Sequence, residues 1–243
     1  MATHKPTGSQ APSPSPAPDD AEFLKKYDAS AFERPSVTVD VVLLTIQGGV
    51  LQALVIKRAN PPHRGRWALP GGFVGIDESL DDAARRKLDE EAGVRGIFLE
   101  QLYTFGEPRR DPRTRVISVA YYALAAAERV HAVVPTPEAA DARFITIPDE
   151  LDKLSMAFDH RRILEVALER IRGKLEYAPI AFQLLPRTFT LTELQQVYEV
   201  VLGRALDKRN FRVRVLEGGQ IEDAGEVRRG SHRPAKLYRF TGK

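Results

Sequence analysis

The 243-residue chain has no cysteine, which excludes disulfides, thiolate zinc sites and cysteine nucleophiles and leaves oxygen or histidine to hold any metal. No stretch approaches the roughly 18 consecutive apolar residues of a membrane span. The N-terminus lacks the apolar region of a signal peptide, so no membrane partner and a cytoplasmic location are expected. No internal repeat is visible. Hydrophobic residues make up 43% and charged residues 28% of the chain, the composition of an ordinary globular protein with room for one mid-sized domain and a smaller one.

Charge is unevenly spread. The net charge is only +3, yet Arg204 to Lys243 hold eleven Lys/Arg against five Asp/Glu, a local +6 that leaves −3 for the rest. A compact cationic end suits a polyanion-binding module, because each neutralised phosphate releases counterions. On charge alone, a solvated basic surface explains the pattern equally well.

Residues Met1 to about Asp20 carry five prolines among small polar residues, a composition unable to bury enough apolar surface to offset ordering entropy. We expect a disordered tail over 1–22. From Ser36, SVTVDVVLLTI and LQALVIKRA flank the turn residues Gly48 and Gly49 and predict a hairpin. GIFLEQLYTFG, VISVAYYALA and ARFITI predict further strands, and Leu80, Ala83, Ala84 and Leu88 have helical spacing. A first domain is expected over 23–157, an amphipathic linker helix over 158–176, and a second domain over 177–243. In that second domain, Pro179–Leu185, a capped segment after Thr190 and a segment after Asp207 predict three short helices, and 220–240 a β-hairpin.

The strongest motif runs from Gly72 through Glu78 to Arg86-Lys87-Leu88-Asp89-Glu90-Glu91-Ala92-Gly93-Val94. Its spacing resembles the Nudix box of nucleoside-diphosphate hydrolases, in which helical carboxylates hold the divalent metal that activates water. Lys87 stands where the resemblance calls for a metal-ligating glutamate. One helical turn from Glu91 and three residues from Glu90, its ammonium can pair with both and occupy the metal's place. The resemblance with this departure implies a degenerate box (Gly72, Glu78, Arg86, Lys87, Glu90, Glu91) with no required cofactor and at most weak magnesium on Glu90 and Glu91. The competing reading is a magnesium-dependent hydrolase of ADP-ribose or a similar diphosphate.

Nudix domains of this kind commonly recognise ADP-ribose or a related nucleotide, and the loop Phe105 to Arg115 offers guanidinium groups that can clasp a diphosphate. The candidate ligand residues are Arg58, Arg66, Phe105, Arg109, Arg113 and Arg115. For any one arginine, a solvated loop position is the plain alternative.

Beyond the linker, Tyr177-Ala178-Pro179, Leu184-Leu185-Pro186, Phe189-Thr190-Leu191, Leu206-Asp207-Lys208-Arg209-Asn210-Phe211 and Arg233-Pro234-Ala235-Lys236 resemble the Nudix-related regulators of NAD metabolism. The resemblance implies an α+β chain, a Nudix α/β/α sandwich followed by a winged helix-turn-helix. It also implies a homodimer that binds operator DNA at genes of NAD synthesis or salvage, and ADP-ribose as effector. In a helix after Asp207, Phe211 and Val215 share an inward face while Lys208, Arg209, Asn210, Arg212 and Arg214 decorate the outside. Arg228, Arg229, His232, Arg233 and Lys236 complete a basic wing. His160 is read as a structural histidine, and Glu193 as the partner of Thr190 in a capping box.

Overall fold

The computed structural model describes residues 18–130, 139–229 and 234–242. The chain divides into two compact units, Met1–Arg34 and Pro35–Lys243. In the first, helix α1 (Pro18–Lys26) has Asp19 and Asp20 in its first turn and Lys25 and Lys26 in its last, each complementing the helix dipole. Phe23 and Tyr27 meet one turn apart with ring centroids 5.4 Å from each other, and Phe32 follows at 6.3 Å from Tyr27. Residues 18–22, expected in the unstructured tail, therefore lie in a helix. The rest of that tail, 1–17, falls outside the described residues, and the compact second unit starts at Pro35 rather than 23.

The second unit is built on a seven-stranded mixed sheet. Its path runs β3 (Trp67–Ala68), β2 (Val50–Arg58), β1 (Ser36–Gln47), β6 (Val116–Leu124), β5 (Phe98–Phe105); β4 (Gly71–Phe73) pairs with the first half of β1, and β7 (Ala139–Thr146) pairs with β2. The β1–β2 hairpin turns at Gly48 and Gly49, both at positive φ, which glycine adopts without steric penalty. β1 reads as an unbroken apolar run because both its faces are covered. Val39, Val41 and Leu43 pack on one side with helix α2 (Leu80–Ala92) through Ala83, Ala84 and Leu88. Val42 and Leu44 pack on the other with helix α3 (His160–Lys174) through Ile163, Leu164, Ala167 and Ile171. The expected α/β/α layering is present.

α2 starts where the Ser79 hydroxyl accepts from the Asp82 N–H at 3.1 Å and stops at Gly93, left-handed at φ +62°. α3 is clamped to the sheet by Arg170 on the Leu102 carbonyl (3.2 Å) and Lys174 on Glu100 (2.7 Å). Its far end reaches the next module, where the Arg172 Nε donates to the Val201 carbonyl at 3.0 Å.

That module contains a 3₁₀ turn at Pro179–Leu184, helices α4 (Leu191–Leu202) and α5 (Lys208–Glu217), and the hairpin β8 (Ile221–Arg228) with β9 (Ala235–Phe240). The Thr190–Glu193 capping box is complete at the start of α4. Phe182 stacks on Phe240 at 4.4 Å, and Phe189 exchanges backbone hydrogen bonds with Tyr238, tying the hairpin to the helices. The apolar cluster on the α3 side of the sheet continues without a break through α3 into Ile180, Phe189, Leu194, Val197 and Phe211. The α/β/α sandwich and the helical module thus share one core.

Candidate functional site

A cleft of about 420 Å³ opens where β1, β4, α2 and the start of α3 meet, within the size range of small-molecule sites. Its floor needs glycine at 71, where a Cβ would lie 2.4 Å from both the Val39 carbonyl and an Asp40 carboxylate oxygen; a Cβ at Gly72 would lie 2.5 Å from Lys87 Cε and push that side chain aside. β4 can therefore lie flat against β1 while Lys87 crosses over it.

The α2 wall carries the motif residues. Glu78 accepts two hydrogen bonds from Arg86 (2.6 and 2.8 Å) and one from the Gly75 N–H (3.0 Å). The Arg86 guanidinium, first among these, pulls the Glu78 carboxyl down to about 2. Arg86 also reaches Glu90 at 3.3 Å. Lys87, almost wholly buried, places its Nζ 3.0 Å from Glu90 and 3.7 Å from Glu91. Burial opposes the Glu90 charge, yet Lys87 and Arg86 outweigh it and hold that carboxyl below its ordinary value. Glu78, Glu90 and Glu91 are thus each already engaged by Arg86 or Lys87 of the same helix. These residues do not fit a divalent metal: one entering between 90 and 91 would have to displace a buried ammonium, having lost the ligand that position 87 would supply.

The other wall is a buried polar cluster. Arg110, with its side chain only 4% exposed, donates bidentately to Asp159 at 2.6 and 2.9 Å and approaches Asp40 at 3.4 Å. Asp40 also accepts from the Ser118 hydroxyl and has the His160 ring at 3.5 Å. His160 Nδ1 accepts from the Leu69 N–H at 2.9 Å, so the ring has the structural role expected of it, and burial holds its pKa below the ordinary 6.5, against the pull of Asp40. At the rim, Phe158 and His63 are the two non-glycine residues at positive φ (+49° and +61°) among those described, and their rings meet edge-on at 4.8 Å. Arg58 lies over the Phe158 ring at 5.0 Å and donates to the Pro62 carbonyl.

Of the six ligand residues expected from sequence, Arg58 and Arg113 line the cleft. Arg113 forks onto Asp111 (2.7 and 3.0 Å) and lies over Phe73. The other four do not line it. Phe105 packs at the edge of the apolar core and against Tyr103, because β5 is the sheet's far edge strand. Arg115 turns back to the Gly106 carbonyl at 2.7 Å. Arg66 contributes its backbone to the turn after β2, and Arg109 faces a shallow neighbouring depression with His63 and Phe158. Asp40, Arg110, Asp111, Phe158 and His160 were missed as cleft residues. Asp40 had a signal: it is the one charge in the apolar β1 run, and a charge in a strand covered on both faces must have buried partners.

In the C-terminal module, α5 presents Lys208, Arg209, Asn210 and Arg214 to solvent, with Phe211 buried beneath. The Asp207 carboxylate caps the helix by accepting from the Asn210 N–H at 2.8 Å. Arg212, expected on the outer surface, is half-buried with its Nε inside, because one step from Phe211 turns it toward the flank of the helix rather than away from the core. Two wing cations are tied down locally: Arg228 pairs with the cap residue Glu193, and Lys236 with Asp223 at 3.0 Å. Arg229 is exposed. His232 and Arg233 lie outside the described residues.

Comparison with known proteins agrees with both halves. Residues 34–166 match the NUDIX domain and residues 181–240 match the NrtR DNA-binding winged helix domain. An ADPR responsive transcriptional repressor NtrR of Acinetobacter baylyi is 39% identical over 220 residues, which cover 90% of this chain and 87% of that protein. Shewanella oneidensis NrtR, crystallised with a 27mer DNA, is similar at 37% identity with a TM-score of 0.76, over 84% of this chain and 93% of that one. The NUDIX domain of the same Shewanella protein, crystallised with ADP ribose, is similar at 37% identity with a TM-score of 0.57, over 63% of this chain and 98% of that one. Among the described residues, no helix is long and apolar enough to cross a membrane. The chain belongs to the NrtR family of transcriptional regulators, a Nudix domain followed by an NrtR winged helix domain.

Proposed function

We propose that the protein is a transcriptional repressor controlled by ADP-ribose, in which the Nudix cleft binds the nucleotide as a receptor and α5 with the wing binds operator DNA. The carrying observation is Lys87 seated among Glu90 and Glu91: the helix that would hold catalytic metal is neutralised from within, while the cleft beside it stays open. A diphosphate meets Arg58, Arg86 and Arg113 on the cleft walls, guanidinium groups suited to bidentate contact with phosphate oxygens. Phe158, its ring already faced by a cation, offers the nucleotide an aromatic surface.

Repression and release need two states with different ligand affinity. The element able to distinguish them is α3, whose N-terminal Asp159 and His160 belong to the cleft cluster and whose Arg172 holds α4. A ligand that redistributes the Arg110 contacts shifts the seat of α3 and with it the DNA-binding module. We take the working form to be a homodimer, since an operator with two half-sites demands two such modules at fixed spacing. The test is a titration of ADP-ribose into the full chain bound to duplex from the promoter of a NAD-synthesis gene, with hydrolysis followed in parallel with and without magnesium. Release of DNA without nucleotide cleavage is expected. Unchanged DNA affinity at saturating ADP-ribose overturns the receptor reading, and rapid magnesium-dependent cleavage by the unaltered chain overturns the reading of Lys87.

A further inference from the structure

We infer that Val213 reads the C5-methyl of a thymine in the major groove and so sets base preference for α5, an inference that rests on the DNA-binding role proposed above. At about 100° per residue, Arg209 and Val213 project on the side of α5 opposite Phe211, which is buried. Val213 is nonetheless 47% exposed, as an apolar β-branched residue in the middle of the outward face. Among the described residues, no apolar core cluster includes it. Valine is a poorer helix former than alanine or the long polar residues and gains nothing by facing water. A position that breaks the local rules without compensation inside the molecule is where contact with something outside it is expected.

The surroundings choose the occupant. Arg209 stands one turn before Val213, and Lys208, Asn210 and Arg214 lie around it, all exposed. An apolar protein surface laid on this face would strip water from several cations without replacing it. A DNA groove supplies phosphates to those cations and, in its floor, one apolar feature: the thymine methyl. Base-edge contacts come mainly from the N-terminal part of a recognition helix; Val213, the sixth of the ten residues of α5, stands at its middle, one turn after Arg209 and on the same face. Leu216, also exposed, lies a turn nearer the C-terminus and correspondingly further from the base edges.

The experiment selects duplexes for the full chain from a random-sequence pool. Each thymine of the best binder is then replaced by deoxyuridine, which removes the C5-methyl and leaves every hydrogen-bonding group in place. Burying one methyl-sized group contributes about 0.8 kcal/mol, which corresponds to roughly a fourfold change in affinity. We expect at least one thymine, present in each half-site, whose demethylation weakens the unaltered chain about three- to fivefold. Val213→Ala should bind the thymine and deoxyuridine duplexes alike at that position, with an unchanged melting temperature and salt dependence. If no deoxyuridine substitution matters to the unaltered chain, or if it matters equally to Val213→Ala, the inference is wrong while DNA binding stands. If no duplex is retained from the pool, the DNA-binding reading falls and takes this inference with it.

Discussion

Replacing Lys87 by glutamate tests the reading of the Nudix helix at its centre. Glu91 is 3% exposed and has the Lys87 ammonium at 3.7 Å; the substitution puts a third carboxylate where that cation was. Removing one partner of a buried pair costs about 3–5 kcal/mol, and the like-charge neighbours one turn apart add a few tenths more. Glu90 is far more open to water, so its share is small. Taking about 3 kcal/mol, and a drop of roughly 2–4 °C per kcal/mol for a chain of this size, Lys87→Glu should melt about 6–12 °C below the unaltered protein in EDTA. The same variant has regained an oxygen ligand set. Magnesium at a hundred times its dissociation constant should return about 2.7 kcal/mol, so most of the loss should be recovered on adding metal. The unaltered chain should melt at the same temperature in EDTA and in magnesium. Lys87→Met, which removes the cation without supplying an oxygen ligand, should be destabilised and stay so in both. Scanning calorimetry or circular dichroism melts read all three. The reasoning is refuted by a magnesium-dependent rise in the unaltered chain as large as the variant's, or by a Lys87→Glu protein that is as stable in EDTA as its parent.

Arg110→Ala leaves Asp40 buried without its guanidinium and should cost about 3–5 kcal/mol; in a denaturant titration, Arg110→Met combined with Asp40→Asn should cost less than the two single changes added together. Thr190→Ala breaks the capping box at the start of α4 and should lower stability by about 1 kcal/mol, again read from the denaturant midpoint. The pH arm concerns Glu78, whose folded carboxyl is held near 2 against an ordinary value of 4.5. Its ion pair with Arg86 therefore contributes fully above about pH 4.5 and is lost as pH falls from there toward 2, and Glu78→Gln should flatten the decline in melting temperature over that window. Arg209→Ala should weaken duplex binding across all sequences and, if the side chain meets a phosphate, reduce the slope of log affinity against log salt by about 0.9. Arg228→Ala should reduce that slope less, because its guanidinium is already paired with Glu193.

The elements were legible because their signals are local. The apolar run of β1, the glycine turn at 48–49, the helix starts at Thr190 and Asp207 and the helical spacing of α2 and α3 each follow from a few neighbouring residues. The Lys87 pairing was legible for the same reason, since three and four residues along a helix is a geometric relation that sequence states outright. The cleft was not. Arg110 stands in a run of arginines, and its partners Asp159 and Asp40 lie 49 and 70 residues away, so only the folded sheet brings them together. Arg66, Arg109 and Arg115 look identical to it in sequence, yet their guanidinium groups lie outside the cleft lining. The helical start at Pro18 was hidden by the proline-rich stretch before it, which dominates composition over any window that spans both.

The two halves of the proposal constrain each other. A receptor that destroyed its ligand would report a balance of supply and turnover, and occupancy of the cleft would not be an equilibrium quantity. If the cleft binds without cleaving, as proposed above, the coupling between cleft and α5 is a true linkage, so that DNA would weaken ADP-ribose by the same factor by which ADP-ribose weakens DNA. The fold supplies a stiff connection for this: α3 is fifteen residues, about 22 Å long, with cleft groups at one end and the Arg172 contact to α4 at the other, and its apolar side lies in the same core as α4 and α5. A close-packed core does not absorb a displaced helix gradually. On the receptor reading proposed above, a shift at Asp159 would be carried to the DNA-binding module as a change of packing, and a Lys87 that keeps metal out would let that change be read as concentration.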